Sequence, residues 1–527
     1  MKKSEKAPVP PSSLVSEQLS YRKEILAVLA AVAAAALCIA PSLSGGFLNW
    51  DDDRFVVDNE KVSALSAENL ADAFSGLRFE SYQPLHLVSY MIDGSLWPGN
   101  APLYRLHNLL LYGAGVALLF LLLRRLGFAR LPALAGTLLF ATAPYRAESV
   151  AWISARKDVL MLLFLFGAWH LHLSAEPGAK HRIPARIGSI LLYGCALLSK
   201  SSAMVFPVMV LAADVGVRRI SLRRSVLSML WYVPFALTAA VVVPLVWQNT
   251  NLVQQNIGGP WERVLLVGWS VAHYVKTAAF PFFSAPIYAE PSVEILRNGA
   301  VAAILSVAGM VLLVWVRRRK QNSVAVPVTV GTMFLGALLP FLNVVPLYYL
   351  RADRYLLLPS VGLAVGAAFF LKWAGERRAA GRQLMAAGLW GWIAIMGAAC
   401  AIESTYWRDS VSLWEHSVAR EPDAFFARLK LGETLRNAGR PGDSVKQYRA
   451  AKKLRPLSPT ALGGIFWGSL LEDMAETKDT DTAAAEKLTY SFIAAADDAA
   501  RLQRLRNYLR THRRPRAAAV VAERLSQ

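Results

Sequence analysis

The feature that most constrains this chain is its succession of long apolar runs. Crossing about 30 Å of hydrocarbon takes roughly 20 apolar residues in a helix, and lipid tolerates only helices or closed barrels. The first run extends from Glu24 to Leu43. Others follow at 103–123, 131–143, 158–174, 186–199, 202–217, 226–247, 298–316, 324–345, 355–373 and 384–402. The pattern predicts an all-α, polytopic membrane protein with about eleven transmembrane helices. His273, Lys276 and Pro281 interrupt the segment 263–283, which reads as re-entrant or interfacial.

Charge sets the orientation. The chain carries 57 Lys and Arg against 37 Asp and Glu, a net +20 that would ordinarily suggest a nucleic-acid partner. Most of the excess sits instead in short loops: Arg124/Arg125/Arg130, Lys180/His181/Arg182/Arg186, Arg218/Arg219/Arg223/Arg224, Arg317–Lys320 and Arg377/Arg378/Arg382. All five clusters fall on one side when 263–283 does not cross, and cytoplasmic loops are the basic ones. No nucleic-acid partner is expected. The expected location is a bacterial inner membrane, with residues 1–22 a cytoplasmic tail and the C-terminus periplasmic. Lys2, Lys3, Lys6, Arg22 and Lys23 resemble the basic region of a signal peptide, but the parity of later loops favours an uncleaved anchor. Cys38, Cys195 and Cys400 are too few and too apolar in setting for a disulfide framework.

The expected organisation is a membrane domain over 23–402, with a first periplasmic loop at 45–102, and a periplasmic helical domain over 403–527. Within the latter, Asp409-Ser410-Val411 recurs as Asp443-Ser444-Val445, Trp414 aligns with Tyr448 and Pro422 with Pro456. Each offset is 34 residues, the tetratricopeptide period. Helices are expected over 424–438, ending at Gly439, and over 443–454, with helical pattern continuing through 484–511 and 515–525. Stacked helix pairs leave a concave face suited to a protein or peptide partner.

The outer loops carry chemistry-bearing groups. Trp50-Asp51-Asp52-Asp53 places three carboxylates just past a span. Such a group can hold a raised pKa, accept a hydroxyl proton or share a divalent cation such as Mg or Mn, with Asp51 or Asp52 as ligand. A helix cap is the ordinary alternative. Tyr82 and His86 follow in the same loop. Glu148, Trp152, Arg156, Lys157 and Asp158 form a second group, Lys200 a third, and Arg351, Asp353, Arg354 and Tyr355 a fourth. Arg156, Lys157, Lys200, Arg351 and Arg354 lie where the positive-inside rule disfavours cations. Each requires an internal carboxylate, a lipid headgroup or a bound phosphate as partner; five together, in loops that can converge with an acidic first loop, favour a phosphate-binding site.

In order, Trp-Asp-Asp at 50–52, Tyr82-Gln-Pro-Leu, Glu148-Ser-Val-Ala-Trp-Ile-Ser-Ala-Arg-Lys-Asp-Val-Leu, Leu-Leu-Ser-Lys200, Ala352-Asp-Arg-Tyr-Leu-Leu-Leu-Pro-Ser and the terminal repeats resemble one family. It comprises the bacterial relatives of the transmembrane tetratricopeptide-repeat O-mannosyltransferases, within the GT-C glycosyltransferase superfamily. The resemblance implies a polyprenyl-phosphate-linked sugar donor and, often, a protein hydroxyl acceptor. It gives Asp51 or Asp52 the catalytic-base role and Arg354 a lipid-phosphate role that Arg156 and Lys157 share, sometimes with a divalent cation. Asp53, Tyr82, His86, Glu148, Trp152, Asp158, Asp353 and Tyr355 are expected in support. The chain departs from the family at Gln83, at Ala143-Pro144-Tyr145-Arg146, and at Arg105, whose expected histidine is absent or shifted to His107. A non-catalytic envelope scaffold and a transferase with a non-protein acceptor are the rival readings. A transporter would centre on Asp214. On the transferase reading, Asp51→Asn and Asp52→Asn abolish sugar transfer in membranes supplied with lipid-linked sugar while expression is unchanged. Full activity in both variants excludes the aspartates.

Overall fold

The computed structural model describes residues 11–526 apart from 79–80, 250–258, 305–324, 346, 348, 457, 478–481 and 495–498. The N-terminal lysines, most of the run 298–316 and the cluster Arg317–Lys320 lie outside the described residues. Among the described residues the chain is all-helical, its one isolated β-bridge joining Arg78 and Ser81.

The helices are less uniform than about eleven full spans. Three are long and apolar enough to cross a bilayer: Tyr21–Ser42, Ala101–Arg125 and Ala379–Thr405. Leu222–Met229 and Val233–Val242 make a fourth if counted together across their 60° bend. The runs at 131–143, 202–217, 324–345 and 355–373 give shorter apolar helices, Arg130–Ala141, Ser201–Gly216, Ala325–Phe341 and Pro359–Gly375. Prolines mark several of their boundaries, because Pro lacks the N–H that would continue the ladder. The interrupted segment is one helix, Pro260–Ala279, ending just before Pro281.

The chain divides into two compact units. The first comprises Met1–Gly45, Arg54–Ser284 and Ser292–Thr405. Its core includes Tyr112, Phe120, Phe140, Phe166, Trp169, Tyr193 and Phe206. Trp169 meets Phe206 edge-on at 6.0 Å, and Tyr193 stacks on it at 5.2 Å. Ala101–Arg125 starts at Asn100, whose side chain accepts from the Leu103 N–H at 3.3 Å, and ends in Arg124 and Arg125. An Asn cap and C-terminal cations both suit the helix dipole. Helix Pro359–Gly375 is packed at backbone distance: a Cβ on Gly136 would overlap the Ala364 carbonyl, and one on Gly362 would lie 3.0 Å from Met333 Cβ. Small residues at such crossings let helices approach closely.

Charge collects at opposite ends of these helices. Arg156 opens helix Arg156–Ser174, and His172 lies near its end, about 24 Å away at 1.5 Å per residue. At the His172 end, Arg218 bonds Asp214 at 2.7 Å and the Tyr232 hydroxyl meets both His172 and Arg186 at 3.0 Å. Glu24 holds Arg124 through two N–H···O bonds, at 2.9 and 3.1 Å, and Arg130 at 3.2 Å.

The second unit comprises Gly46–Asp53, Ala285–Pro291 and Tyr406–Gln527. Its helices are Ser410–Arg420, Phe425–Asn437, Pro441–Leu454, Pro459–Thr477, Thr482–Ala494, Ala499–Thr511 and Pro515–Leu525. Gly439 has φ +73°, the left-handed cap position, and the Arg440 N–H returns to the Leu435 carbonyl at 2.9 Å. Segment 46–53 is clasped within this unit. Trp50 stacks on Trp407 at 6.0 Å and meets Trp414 edge-on at 5.4 Å. Asn49 accepts from the Trp414 indole at 2.7 Å and donates to Thr434 at 2.8 Å. Replacing Gly136 by Val should lower stability in detergent by about 1–3 kcal/mol or more, seen as a lower thermal midpoint, whereas Gly381→Ala, with open space around it, should cost less.

Candidate functional site

A contiguous polar cluster forms within the first unit at the Arg156 end of its helices. Helix Pro84–Leu96 supplies His86, Ser89, Tyr90 and Asp93, all buried. Their spacing of three and four residues puts them on one face, so the buried face of this helix is polar. Tyr104, Arg105 and Asn108, buried in the first turns of Ala101–Arg125, form the facing wall.

Arg156 is the centre. It is fully buried, with Nε on Asn108 Oδ1 at 2.6 Å, Nη1 on the Ser89 carbonyl at 3.1 Å and Nη2 on the Tyr104 carbonyl at 2.9 Å. Nη2 also lies 2.5 Å from Asp93 Oδ2. The guanidinium rests over Tyr90 at 4.6 Å and Tyr104 at 5.5 Å. Three of its N–H groups donate to protein acceptors and its charge pairs with Asp93, so its role here is to position others. The second Asp93 oxygen lies 2.5 Å from His107 Nδ1. Asp93 is the main residue that sequence reasoning missed. An isolated Asp in register with His86, Ser89 and Tyr90 on an otherwise apolar helix was the available sign.

The other expected cations divide. Lys200 pairs with Asp158, and burial pulls its ammonium below the ordinary lysine value against that carboxylate's opposing pull. Arg354 pairs with Glu148 through its side chain, and its backbone N–H donates to the same carboxylate at 2.8 Å. Burial pushes the Glu148 carboxyl above the ordinary range while Arg354 opposes it. Trp152 and Tyr355 lie against the Arg354 guanidinium at 5.4 and 5.2 Å, and Asp353 is buried beside it in sequence. Lys157 is half-buried over the Phe55 ring at 5.1 Å. Arg351 sits on His273 at 3.2 Å and over Trp269 at 4.7 Å. Tyr82 is exposed, with its hydroxyl on the Phe74 carbonyl at 3.3 Å, away from the contacts just described.

Asp51, Asp52 and Asp53 belong to the second unit. Asp52 is buried, and its carboxylate accepts from the Leu48 N–H at 3.0 Å, the cap-like role that the sequence also allowed. Asp51 and Asp53 are half-buried. Among the described residues, no group of three or more His, Cys, Asp or Glu side chains is placed to hold a metal ion. The donor set among these residues therefore does not fit a cation held by three protein ligands.

The cluster has a positive field. His86 Nε2 lies 2.8 Å from the Tyr90 hydroxyl, which also lies 2.6 Å from the Ile153 carbonyl. The carbonyl can only accept, so the hydroxyl donates to Ile153 and the imidazole donates to the hydroxyl oxygen. Burial, then the charges of Lys157, Arg156 and Lys200, hold His86 well below its ordinary value and keep it neutral. The sequence matches no protein-family model and no curated protein at a significant level.

A neutral buried histidine makes stability depend on pH. Its folded-state pKa is depressed, so below about 6.5 the unfolded chain takes up a proton that the folded chain refuses. Stability is therefore full above that value and falls as the pH drops below it. His86→Gln should flatten the loss of thermal midpoint between about pH 7 and pH 5; an unchanged slope would place the titration elsewhere.

Proposed function

We propose that this chain is a GT-C-type membrane glycosyltransferase with about eleven membrane-crossing segments, several of them short or bent. It moves a sugar from a polyprenyl-phosphate donor to an acceptor hydroxyl, a protein Ser or Thr, on the periplasmic face of a bacterial inner membrane. The observation that carries the reading is the collection of Arg156, Lys157, Lys200 and Arg354 at one end of apolar helices, where burial first and then the positive charges of Lys157, Arg156 and Lys200 hold His86 below its ordinary value. Such a field favours a phosphate at the bilayer surface.

An apolar cavity of about 290 Å³ supports the lipid half of the donor. Leu139, Val330, Leu363, Phe370 and Trp392 line it, together with Tyr145. Tyr145 directly precedes the short helix Arg146–Ala151 that carries Glu148, Arg354's partner. Chain from one short stretch thus borders both apolar and polar surroundings. Lys157 and Arg351, both half-buried, are the phosphate contacts. Lys200 and Arg354 add to the field and stabilise the leaving group, and Arg156 positions the cluster. Asp51 or Asp52 orients the acceptor hydroxyl, and the repeat helices recruit the acceptor protein.

A second reading, a non-catalytic envelope scaffold, draws on a specific observation: Asp93, Asp158 and Glu148 already compensate three of the predicted phosphate-binding cations. Glycopeptide mass analysis of envelope proteins separates the two. A hexose-sized increment on Ser or Thr that disappears with the gene supports the transferase; an unchanged glycopeptide profile sinks it. Within the transferase reading, Lys157→Ala and Arg351→Ala should each raise the donor KM about tenfold or more, the loss of a charge-assisted hydrogen bond.

A further inference from the structure

His107 stands apart from the other members of the polar cluster in how it is held. It lies in the second turn of helix Ala101–Arg125, and its Nδ1 is 2.5 Å from Asp93 Oδ1. Asp93 is completely buried, and its other oxygen is 2.5 Å from Arg156 Nη2. Arg156 is in turn fixed by Asn108, the Ser89 and Tyr104 carbonyls and two tyrosine faces. The result is a chain, Arg156 to Asp93 to His107, in which each member sets the orientation of the next. Only the last reaches the surface: the His107 side chain is 21% exposed, while those of Asp93 and Arg156 are wholly buried. Because Asp93 accepts the Nδ1–H, the neutral ring carries its lone pair on Nε2.

Asp93 serves two partners at once: its charge balances the buried Arg156, and its other oxygen holds the His107 ring. A carboxylate behind an imidazole does something an amide cannot: it stabilises the imidazolium formed when the far nitrogen takes a proton. Arg156 holds that carboxylate in place, and is followed directly in sequence by Lys157, the proposed phosphate contact.

We propose that His107 Nε2 is the proton acceptor for the sugar-accepting hydroxyl, with Asp93 and Arg156 as its positioning residues. This rests on the transferase reading above. In the step, the acceptor oxygen forms a bond to the anomeric carbon while the bond from that carbon to the phosphate oxygen breaks. The bonding pair leaves on the polyprenyl phosphate. The hydroxyl proton passes to Nε2, giving an imidazolium opposite Asp93, which returns its proton to water or to the released phosphate. Attack opposite the leaving group inverts the anomeric centre.

The test uses the full-length protein in membranes, a panel of undecaprenyl-phosphate hexoses as donors and a Ser/Thr peptide mixture as acceptor. His107→Ala should lower kcat about 10²- to 10⁴-fold, the span of general-base catalysis, with little change in donor KM. Added imidazole should restore roughly tenfold or more of that loss by occupying the vacated space. His107→Gln, which keeps a hydrogen-bonding group facing Asp93 and checks folding, should be equally slow and should not respond to imidazole. Activity within a few-fold of wild type in both variants, with Asp51→Asn inactive, would assign the proton to the aspartates and overturn this inference while leaving the transferase standing. Loss in His107→Ala without imidazole rescue, alongside an active His107→Gln, would show a packing role and overturn it too. A wild-type protein that transfers nothing from any donor would overturn the transferase reading and this inference with it.

Discussion

The ion pair between Arg156 and Asp93 governs the arrangement of the first unit's polar end. Two opposite charges removed from water are costly unless each is also hydrogen-bonded, and removing one partner alone typically costs about 3–5 kcal/mol. Here the guanidinium is fixed by two carbonyls, an amide and two rings, and the carboxylate by the guanidinium and His107. That requirement draws together helix Pro84–Leu96, the head of Ala101–Arg125 and the head of Arg156–Ser174. Asn108 also reaches the Trp152 carbonyl at 3.1 Å, and Arg105 the Ala151 carbonyl. The irregular stretch between the short helix Arg146–Ala151 and Arg156 is thereby held in place, and with it the Glu148 that meets Arg354.

The pairs repeat one solution at graded depth. Asp93 with Arg156 is fully buried, Glu148 with Arg354 and Asp158 with Lys200 nearly so, and Lys157 and Arg351 are half-buried. These pairs make a fixed arrangement of buried charge. Such preorganised dipoles and charges need little rearrangement when charge develops during a reaction.

Much of the second unit was legible in the sequence. The 34-residue offset and Gly439 predicted helices over 424–438 and 443–454, and the chain forms Phe425–Asn437 and Pro441–Leu454. Local rules suffice there, because the caps and period that shape each helix lie within it. Helix type was also legible in the first unit, but span length was not: apolar runs mark where chain is buried, whereas Pro144, Pro340 and close crossings such as Gly136 against Ala364 decide where helices stop and how near they lie. The charged groups were found individually. Their partners were not, because the pairs join residues 42 to 206 positions apart. His86, Tyr90 and Asp93 were the exception in principle, since a helical period of polar residues was visible; its polar face proved to be the buried one.

Trp50 illustrates a further consequence of long separation. Its neighbour Asn49 is bonded to Trp414, 365 residues later, and Trp50 itself lies between Trp407 and Trp414. During synthesis at roughly 5–20 residues per second, the Asn49–Trp50 stretch leaves the ribosome tens of seconds before those partners exist. Throughout that interval its indole must remain without its final contacts. Maturation of this short segment is thus timed by the far end of the gene, and a message truncated before codon 407 would yield a chain in which the clasp never closes.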